Sequence, residues 1–465
     1  MSTTAATAEA ARSELGGQFE GELIGPGDSS YDDARALFNA MIDKRPAVIA
    51  LCADADDVGR AVGFARAHDL PLAIRGGGHN GGGLGSVDDG VVADLSMLRT
   101  VSVDPDARTA RVGGGCTWGD VDAATSPHGL HVPCGIISTT GVGGLTLGGG
   151  IGHLTRAHGL TIDNLLAAKV VLADGQQVTA SADENEDLFW AIRGGGGNFG
   201  VVTEFTFQAH PVSDIVGGPT FWAIEDTEEV LAAYREFLPT LDRKATGFFC
   251  WHTVPPAPPF PEELHMRKVC GIVWAVNASD EEAEKLMAPM LNVGTPLMNG
   301  AGRVPLAGLN SAFDGLYGPG DQWYWRADFV DQIPDDSMAA NEDWNEKMPS
   351  WKSGSHVYPI DGAAHDVGPH DTPWAYRNTR WSQVIIGVDG DPASAPALRD
   401  WAVGYWEAVH PYSAGGAYVN FMMDEGQSRV EATYGDNYER LTTIKAEYDP
   451  ENVFRVNQNI PPAAS

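Results

Sequence analysis

The sequence predicts an α+β protein of two domains, on three observations. Strand-like and helix-like segments mix along all 465 residues without settling into the regular β-α-β series of a doubly wound fold. Glycine-dense stretches crowd the first half, at Gly76–Gly83, Gly141–Gly152 and Gly194–Gly197. From about residue 213 glycine thins and tryptophan rises, through Trp222, Trp251, Trp274, Trp323, Trp325, Trp344, Trp351, Trp374 and Trp381.

The elements follow in order. Residues 1–30 read as a helix-prone arm and a Gly/Pro/Ser loop. Pro46–Leu51 is a short buried strand. Asp54–His68 is a helix, with Val58, Ala61, Val62 and Ala65 at helical spacing. Pro71–Ile74 is a second strand, so the opening is β-α-β. A dinucleotide unit of the Rossmann kind then needs a helix after its glycines, because the helix N-terminus receives the pyrophosphate. Here Gly76-x-Gly78-x-x-Gly81 runs on to the strands Gly90–Leu95, Thr100–Val103 and Thr109–Val112, and Gly195-x-Gly197-x-x-Gly200 runs into the strand Val201–Phe207. Both match the fingerprint literally and fail it in context. A helix over Thr117–His128, a strand Ala168–Ala173 and a helix Asn185–Ile192 complete a first domain ending near His210-Pro211. Helices Glu228–Leu238, Asp280–Leu291 and Ser394–His410 alternate with short strands in the second, and a tail follows with a helix ending at Tyr448-Asp449-Pro450. The expected division is an arm over 1–42, a first domain over 43–212, a second over 213–425 and a C-terminal segment over 426–465.

Composition narrows the function classes. The hydrophobic fraction of 43% is ordinary for a globular chain. Sixty-three Asp and Glu against 30 Lys and Arg give a net charge of −33. Such a chain repels nucleic acid and anionic membrane surfaces. It suits either a highly solvated surface or a saline setting that screens self-repulsion. The five cysteines, Cys52, Cys116, Cys134, Cys250 and Cys270, are scattered and odd in number, which indicates neither a zinc site nor a disulfide framework. Neither a signal peptide nor an apolar run of membrane-spanning length is read, so the expected setting is cytoplasmic, as a monomer or homodimer. His128 with His131, and His153 with His158, lack metal-ligand company, and His-Glu-x-x-His is absent; no metal is expected. Gly-x-Ser-x-Gly is absent too, which removes the hydrolase reading.

Three glycine loops in one domain suit a diphosphate. Successive backbone N–H groups form anion-binding nests without needing lysine, which matters in a chain this acidic. His79 is one bulky imidazole planted in that freedom, within Arg75-Gly-Gly-Gly-His79-Asn80.

The longer motifs carry a resemblance. They are Arg75–Asn80, Gly113-Gly-Gly-Cys-Thr-Trp-Gly-Asp120, Ile137-Ser-Thr-Thr-Gly-Val-Gly-Gly-Leu-Thr-Leu-Gly-Gly-Gly-Ile-Gly152, Gly159–Leu165, Asp187–Glu204 and Tyr448–Ile460. In that order they resemble the berberine-bridge-enzyme-like branch of the vanillyl-alcohol-oxidase/p-cresol-methylhydroxylase (PCMH) flavoprotein superfamily, over nearly the whole chain. The resemblance implies a two-subdomain, PCMH-type FAD-binding domain, with the C-terminal segment returning to it. An α/β substrate domain sets a sheet over the flavin.

It also implies the site. The histidine matching His79 is bonded to the flavin 8α carbon. The FAD contacts fall on Arg75, Gly76, Gly77, Gly78, His79, Asn80, Thr139, Thr140, Gly141, Gly143, Gly144, Gly148, Gly149, Gly152, Asn198, Val202, Asn457 and Asn459. Many relatives add a cysteinyl link at the position where this chain has Ile137. Cys134 lies three residues too early, so a single histidyl bond is favoured and a Cys134 link stays open. The family reaction passes a hydride from a small-molecule substrate to flavin N5 while a base takes a proton, and O2 reoxidises the flavin to give H2O2. Three groups are candidate bases: Asp371, just before the segment that faces the ring; Tyr376, where a His-Arg pair usually stands; and Tyr418, read on a strand Gly416–Phe421 with Asn420 on the same face. The oxygen-access position falls near Thr140, not the usual small aliphatic. A dehydrogenase with poor oxygen reactivity, or a flavin- or sugar-binding protein without turnover, is the alternative.

Overall fold

The computed structural model describes residues 3–212 and 214–464. Residue 213, where the composition shifts, lies outside the described residues. The β-α-β opening forms a four-stranded sheet in the order Glu22–Ile24, Val48–Leu51, Val91–Asp94, Leu72–Arg75, parallel except at its first pair. The crossover helix is Ala55–Ala67. Asp54 caps it by accepting the Asp57 amide, and Val58, Ala61, Val62 and Ala65 face the core.

After the first glycine loop the chain turns to a second, five-stranded antiparallel sheet. Its order is Val101–Asp104, Thr109–Gly113, Val201–Gln208, Leu165–Val171, Gln177–Ser181. No helix follows the first loop before the next strand, which is why the Rossmann reading fails.

The remaining large sheet has eight antiparallel strands. The path runs Met298–Asn299, Asp214–Ala223, Lys268–Val276, Ala245–Thr253, Gly354–Pro359, Trp381–Asp389, Gln322–Val330, with Gly302–Pro305 also paired to Asp214–Ala223. Its central strands are buried on both faces. Side chains alternate across a strand, so Phe249, Trp251, Trp381 and Ile385 pack in one core with helices Thr227–Phe237, Asp280–Leu291 and Ala395–Val409. Phe248, Cys250, Val384, Ile386 and Trp323 point the other way, into a core shared with the second sheet. That shared core places a strand face opposite the glycine loops.

Two buried arginines fasten the sheets together. Arg156 pairs with Asp361 at 2.7 Å and donates to the carbonyls of Ala245, Leu241, Leu238 and Asp242. Arg377 makes a two-pronged pair with Asp163, at 2.7 and 2.8 Å. The C-terminal segment is fastened in the same way. Lys445 is fully buried and donates to Asp449, the Asn198 carbonyl and the Phe454 carbonyl. The Ile460 amide donates to Asn198 Oδ1. The tail thus returns to the third glycine loop, as the resemblance implies.

All five cysteines are free and buried. Among the described residues no helix is long and apolar enough to cross a membrane, and no cluster of His, Cys, Asp and Glu could hold a metal ion. Removing one partner of a buried, multiply bonded pair leaves the other without compensation, at a cost of about 3–5 kcal/mol. Arg156→Ala should therefore lower stability by roughly that amount, read as a large fall in the thermal midpoint; a midpoint near that of the parent protein would show that the fastening is dispensable.

Candidate functional site

A cavity of about 310 Å³ lies between the glycine loops and the inner face of the eight-stranded sheet. Its floor is backbone. The strand Leu72–Arg75 delivers Gly76 to Asn80 to the cavity, and Gly78 turns with φ of 68°. The second loop meets the first without side chains: a Cβ on Gly77 would lie 2.5 Å from the Gly141 amide nitrogen, and one on Gly141 would collide with Gly77 in return. Among the described residues, the amides of Gly77, Gly78, His79 and Asn80 donate to no protein acceptor. Four consecutive free N–H groups on a cavity wall form a nest for an anion.

Other orphaned polar atoms sit on the same lining. Arg75 donates through Nε to Asp94 and through Nη2 to the Ala34 carbonyl, and its buried Nη1 has no partner. Asn457 Oδ1 is likewise buried and unpaired. A diphosphate-bearing dinucleotide fits these free groups: backbone amides and the Arg75 Nη1 amino group as donors to the anion, and the Asn457 side-chain oxygen as an acceptor at the tail. Buried polar groups of this kind are otherwise satisfied.

His79 stands at the rim of the first loop. Its ring stacks on Phe38 at 3.8 Å, and Nε2 lies 3.0 Å from Thr139 Oγ1. Burial pulls its pKa down to about 4, against a smaller opposing effect of a hydrogen bond to the Thr139 backbone. The imidazole is therefore neutral at pH 7. When Nε2–H donates to Thr139, Nδ1 keeps its lone pair for bond formation.

Tyr418 is buried on the opposite wall. Its oxygen accepts the Gly150 amide at 3.0 Å and Asn420 Nδ2 at 2.7 Å. Among the described residues no acceptor takes its own proton. Burial raises the phenol to about 12, and those donors pull it back part of the way. A phenol held by donors alone is arranged to give its proton to, or take one from, whatever fills the cavity.

Of the residues the sequence singles out, the lining gathers Arg75, Gly76, Gly77, Gly78, His79, Asn80, Thr140, Gly141, Gly143, Gly144, Asn198, Val202, Asn457 and Tyr418. Thr139 acts one step back, through His79. Other expected residues are not brought there. Asp371 is exposed, and its carboxylate accepts the Gly368 amide in its own turn at 2.8 Å. Tyr376 donates to the Ala432 carbonyl and stacks on Phe329 at 4.6 Å, behind the wall. Gly148, Gly149 and Gly152 are packing glycines. Cβ atoms there would strike Asn420, Trp374 and the Cys134 carbonyl. Gln458, not Asn459, faces the cavity, and the Asn459 carbonyl accepts from Gln427. Ile137 lines the cavity, whereas Cys134 is buried among Gly135 and Asn310 with its thiol pushed up by burial. The segment bearing Tyr418 is no strand: Val419–Phe421 is a single 3₁₀ turn, fixed by Asn420 Nδ2 donating to the Leu145 carbonyl at 3.1 Å.

The sequence reading missed the sheet's contribution. Tyr317, Trp323, Trp325, His356 and Tyr358 line the cavity, beside Phe421 and Ile386. The usable signal was the period-two run Ser355-His356-Val357-Tyr358, which sets His356 and Tyr358 on one strand face. Among the described residues, the lining contains no Asp, Glu or Lys.

Comparison with known proteins agrees with this geometry. Residues 46–181 match the FAD binding domain family, and residues 417–461 match the family described as berberine and berberine like. An FAD-linked oxidoreductase of Bacillus subtilis is 31% identical over 95% of this chain and 97% of its own length. The crystal structure of 6-hydroxy-D-nicotine oxidase from Arthrobacter nicotinovorans superposes with a TM-score of 0.85 at 26% identity, covering 96% of this chain and 99% of that one. Glucooligosaccharide oxidase from Acremonium strictum, whose FAD is described as 6-S-cysteinyl, 8α-N1-histidyl, has the same fold, with a TM-score of 0.85 at 23% identity over 100% of both chains.

The loop contact yields a direct test. Gly77→Ala should force the two loops apart, lower the bound flavin per chain and cost about 1–3 kcal/mol by overpacking; full flavin content, read by absorbance, with an unchanged melting curve would show that the contact has slack.

Proposed function

The chain belongs to the berberine-bridge-enzyme-like FAD-linked oxidoreductases, and from that premise we propose that it is an oxidase acting on an uncharged, hydroxyl-bearing small molecule and returning the electrons to O2 as H2O2. The observation that carries this is Tyr418: a buried phenol on the cavity wall that accepts two hydrogen bonds and donates none to the protein. When bound, FAD supplies a two-electron acceptor for the substrate's hydride and a reductant for O2.

This chain's residues do the rest. The amides of Gly77 to Asn80 and the free Nη1 of Arg75 hold the diphosphate. Neutral His79 supplies Nδ1 as the attachment point, and Thr139 fixes the ring. With Ile137 on the wall and Cys134 withdrawn, we read a single histidyl bond. Tyr418 takes the substrate's hydroxyl proton, and the Gly150 amide and Asn420 stabilise the phenolate that must form first. Trp323, Trp325 and Phe421 supply an apolar bed that excludes water, and the absence of carboxylate and lysine from the lining disfavours charged substrates. Thr140, on the lining at the position linked to oxygen access, supports a second reading, a dehydrogenase slow toward O2.

An anaerobic experiment separates the readings. Substrate should bleach the flavin band, and air should restore it with peroxide formed; bleaching without rapid reoxidation is the dehydrogenase outcome, and no bleaching by any alcohol or sugar favours the flavin- or sugar-binding protein without turnover. His79→Ala should leave a flavin that acid precipitation strips from the protein; pigment that stays in the pellet would point to another anchor. Tyr418→Phe should slow anaerobic reduction by about 10²-fold or more, the usual scale of acid–base catalysis, whereas Asp371→Asn should leave it near the parent rate. Because the base form is the phenolate and the phenol lies near 12, the reduction rate should climb with pH across the neutral and alkaline range; a flat profile would remove Tyr418 as the base.

A further inference from the structure

The inner face of the eight-stranded sheet carries a second titratable system that neither the fold nor the flavin requires. His252 lies on Ala245–Thr253 and His356 and Tyr358 on Gly354–Pro359, adjacent antiparallel strands with Cys250 opposite His356. Nε2 of His252 is 2.7 Å from Nε2 of His356, and Nδ1 of His356 is 2.5 Å from the Tyr358 oxygen. Gly354 makes room for this: a Cβ there would lie 2.8 Å from His252 Nδ1. His356 and Tyr358 line the cavity, and His252 does not.

No carboxylate accompanies the three groups, and the titratable side chains facing them are Tyr317 and Cys250. Burial holds both imidazoles neutral, His252 at about 4 and His356 well below the ordinary value, and pushes Tyr358 well up. Two contacts then share two protons, in one of two arrangements. Tyr358 donates to His356 Nδ1 while His356 Nε2–H donates to His252, or every donor reverses and the Tyr358 O–H is freed toward the cavity. Buried polar groups are costly unless each is bonded. These three satisfy one another only as a chain, with one end on the cavity.

We propose that Tyr358, His356 and His252 form a proton relay that serves the reacting end of the cavity as a second acid–base group besides Tyr418. This rests on the oxidation of a hydroxyl-bearing substrate proposed above. In the relay step the substrate O–H proton passes to the Tyr358 oxygen, the Tyr358 proton to His356 Nδ1, and the His356 Nε2 proton to His252 Nε2. One O–H bond breaks at the substrate and one N–H bond forms at His252, which becomes an imidazolium and returns to its neutral form by releasing its Nδ1 proton. No electron travels with the proton, because the C–H pair leaves separately as hydride to the flavin. His252 keeps 6% of its surface exposed against 1% for His356, so the chain runs from the cavity toward its less buried end. Tyr358 meets the substrate; His356 and His252 are positioning and relaying residues behind it.

The test uses flavin-loaded enzyme labelled with ¹⁵N-histidine. A slowly exchanging low-field N–H resonance shared by His252 and His356 is expected, present in Tyr418→Phe and lost in His252→Leu. In anaerobic reduction by an alcohol, Tyr358→Phe and His252→Gln should each lower the rate at least ~10-fold, change its pH profile and shrink its solvent deuterium effect, with flavin content unchanged. Glutamine keeps a hydrogen-bonding side chain but cannot relay a proton, so parent rates and pH profile in His252→Gln would mean a merely structural role and overturn the relay. Failure of every alcohol to bleach the parent flavin would sink the oxidase reading instead; the relay is then decided by the resonance, whose absence from the parent protein overturns it.

Discussion

The site depends on one steric constraint: two loops that touch through backbone alone. Gly77 and Gly141 leave no room for a Cβ on either. That closeness has two consequences. It holds the first loop in a shape in which four successive amides, Gly77 to Asn80, donate to no acceptor among the described residues. It also brings Thr139, two residues before Gly141, against His79. The free amides and the His79–Thr139 contact both follow from a single backbone approach, and larger residues at these glycines would disturb both.

This arrangement also reconciles an anionic cofactor with an acidic chain. At a net charge of −33, long-range electrostatics oppose the approach of a diphosphate. Amide dipoles act at contact distance and carry no net charge, so they add local attraction without altering the chain's charge. Among the described residues Arg75 is the one Lys or Arg on the lining, and its bonds to Asp94 and the Ala34 carbonyl leave the Nη1 amino group for the ligand. Recognition here is short-ranged and geometric.

The sequence made the local parts of this legible. Helix Asp280–Leu291 has the bounds read from the sequence, and the Ser279 side chain caps it by accepting the Glu282 amide, a contact made within a few residues. The loop at His79 was legible because glycine density has few other uses. What required contacts between distant segments was not. Tyr418 and Asn420 do meet, yet on a 3₁₀ turn, because the Leu145 carbonyl some 270 residues away captures Asn420. Gly148, Gly149 and Gly152 look like cofactor glycines, but the atoms they make way for are Asn420, Trp374 and the Cys134 carbonyl, invisible until the chain folds back. Asp371 reads as a base by its place before Trp374, and its own turn consumes it.

The sheet face was the hardest to foresee, for a reason that bears on the chemistry. A strand's alternation says which side chains share a face, but only strand order says what lies beside them. His252 and His356 are separated by 104 positions and become partners because Ala245–Thr253 and Gly354–Pro359 are neighbours in an order no local pattern encodes. Phe421, on the 3₁₀ turn, packs against two of the cavity phenols, its ring 4.7 Å from that of Tyr418 and 5.9 Å from that of Tyr358. A substrate lying along Phe421 has a phenol toward either end. A single base would confine the reacting hydroxyl to one pose. In the reaction proposed above, two phenols with different partners behind them would let the wall set which hydroxyl loses its proton, by where it places the apolar body of the molecule.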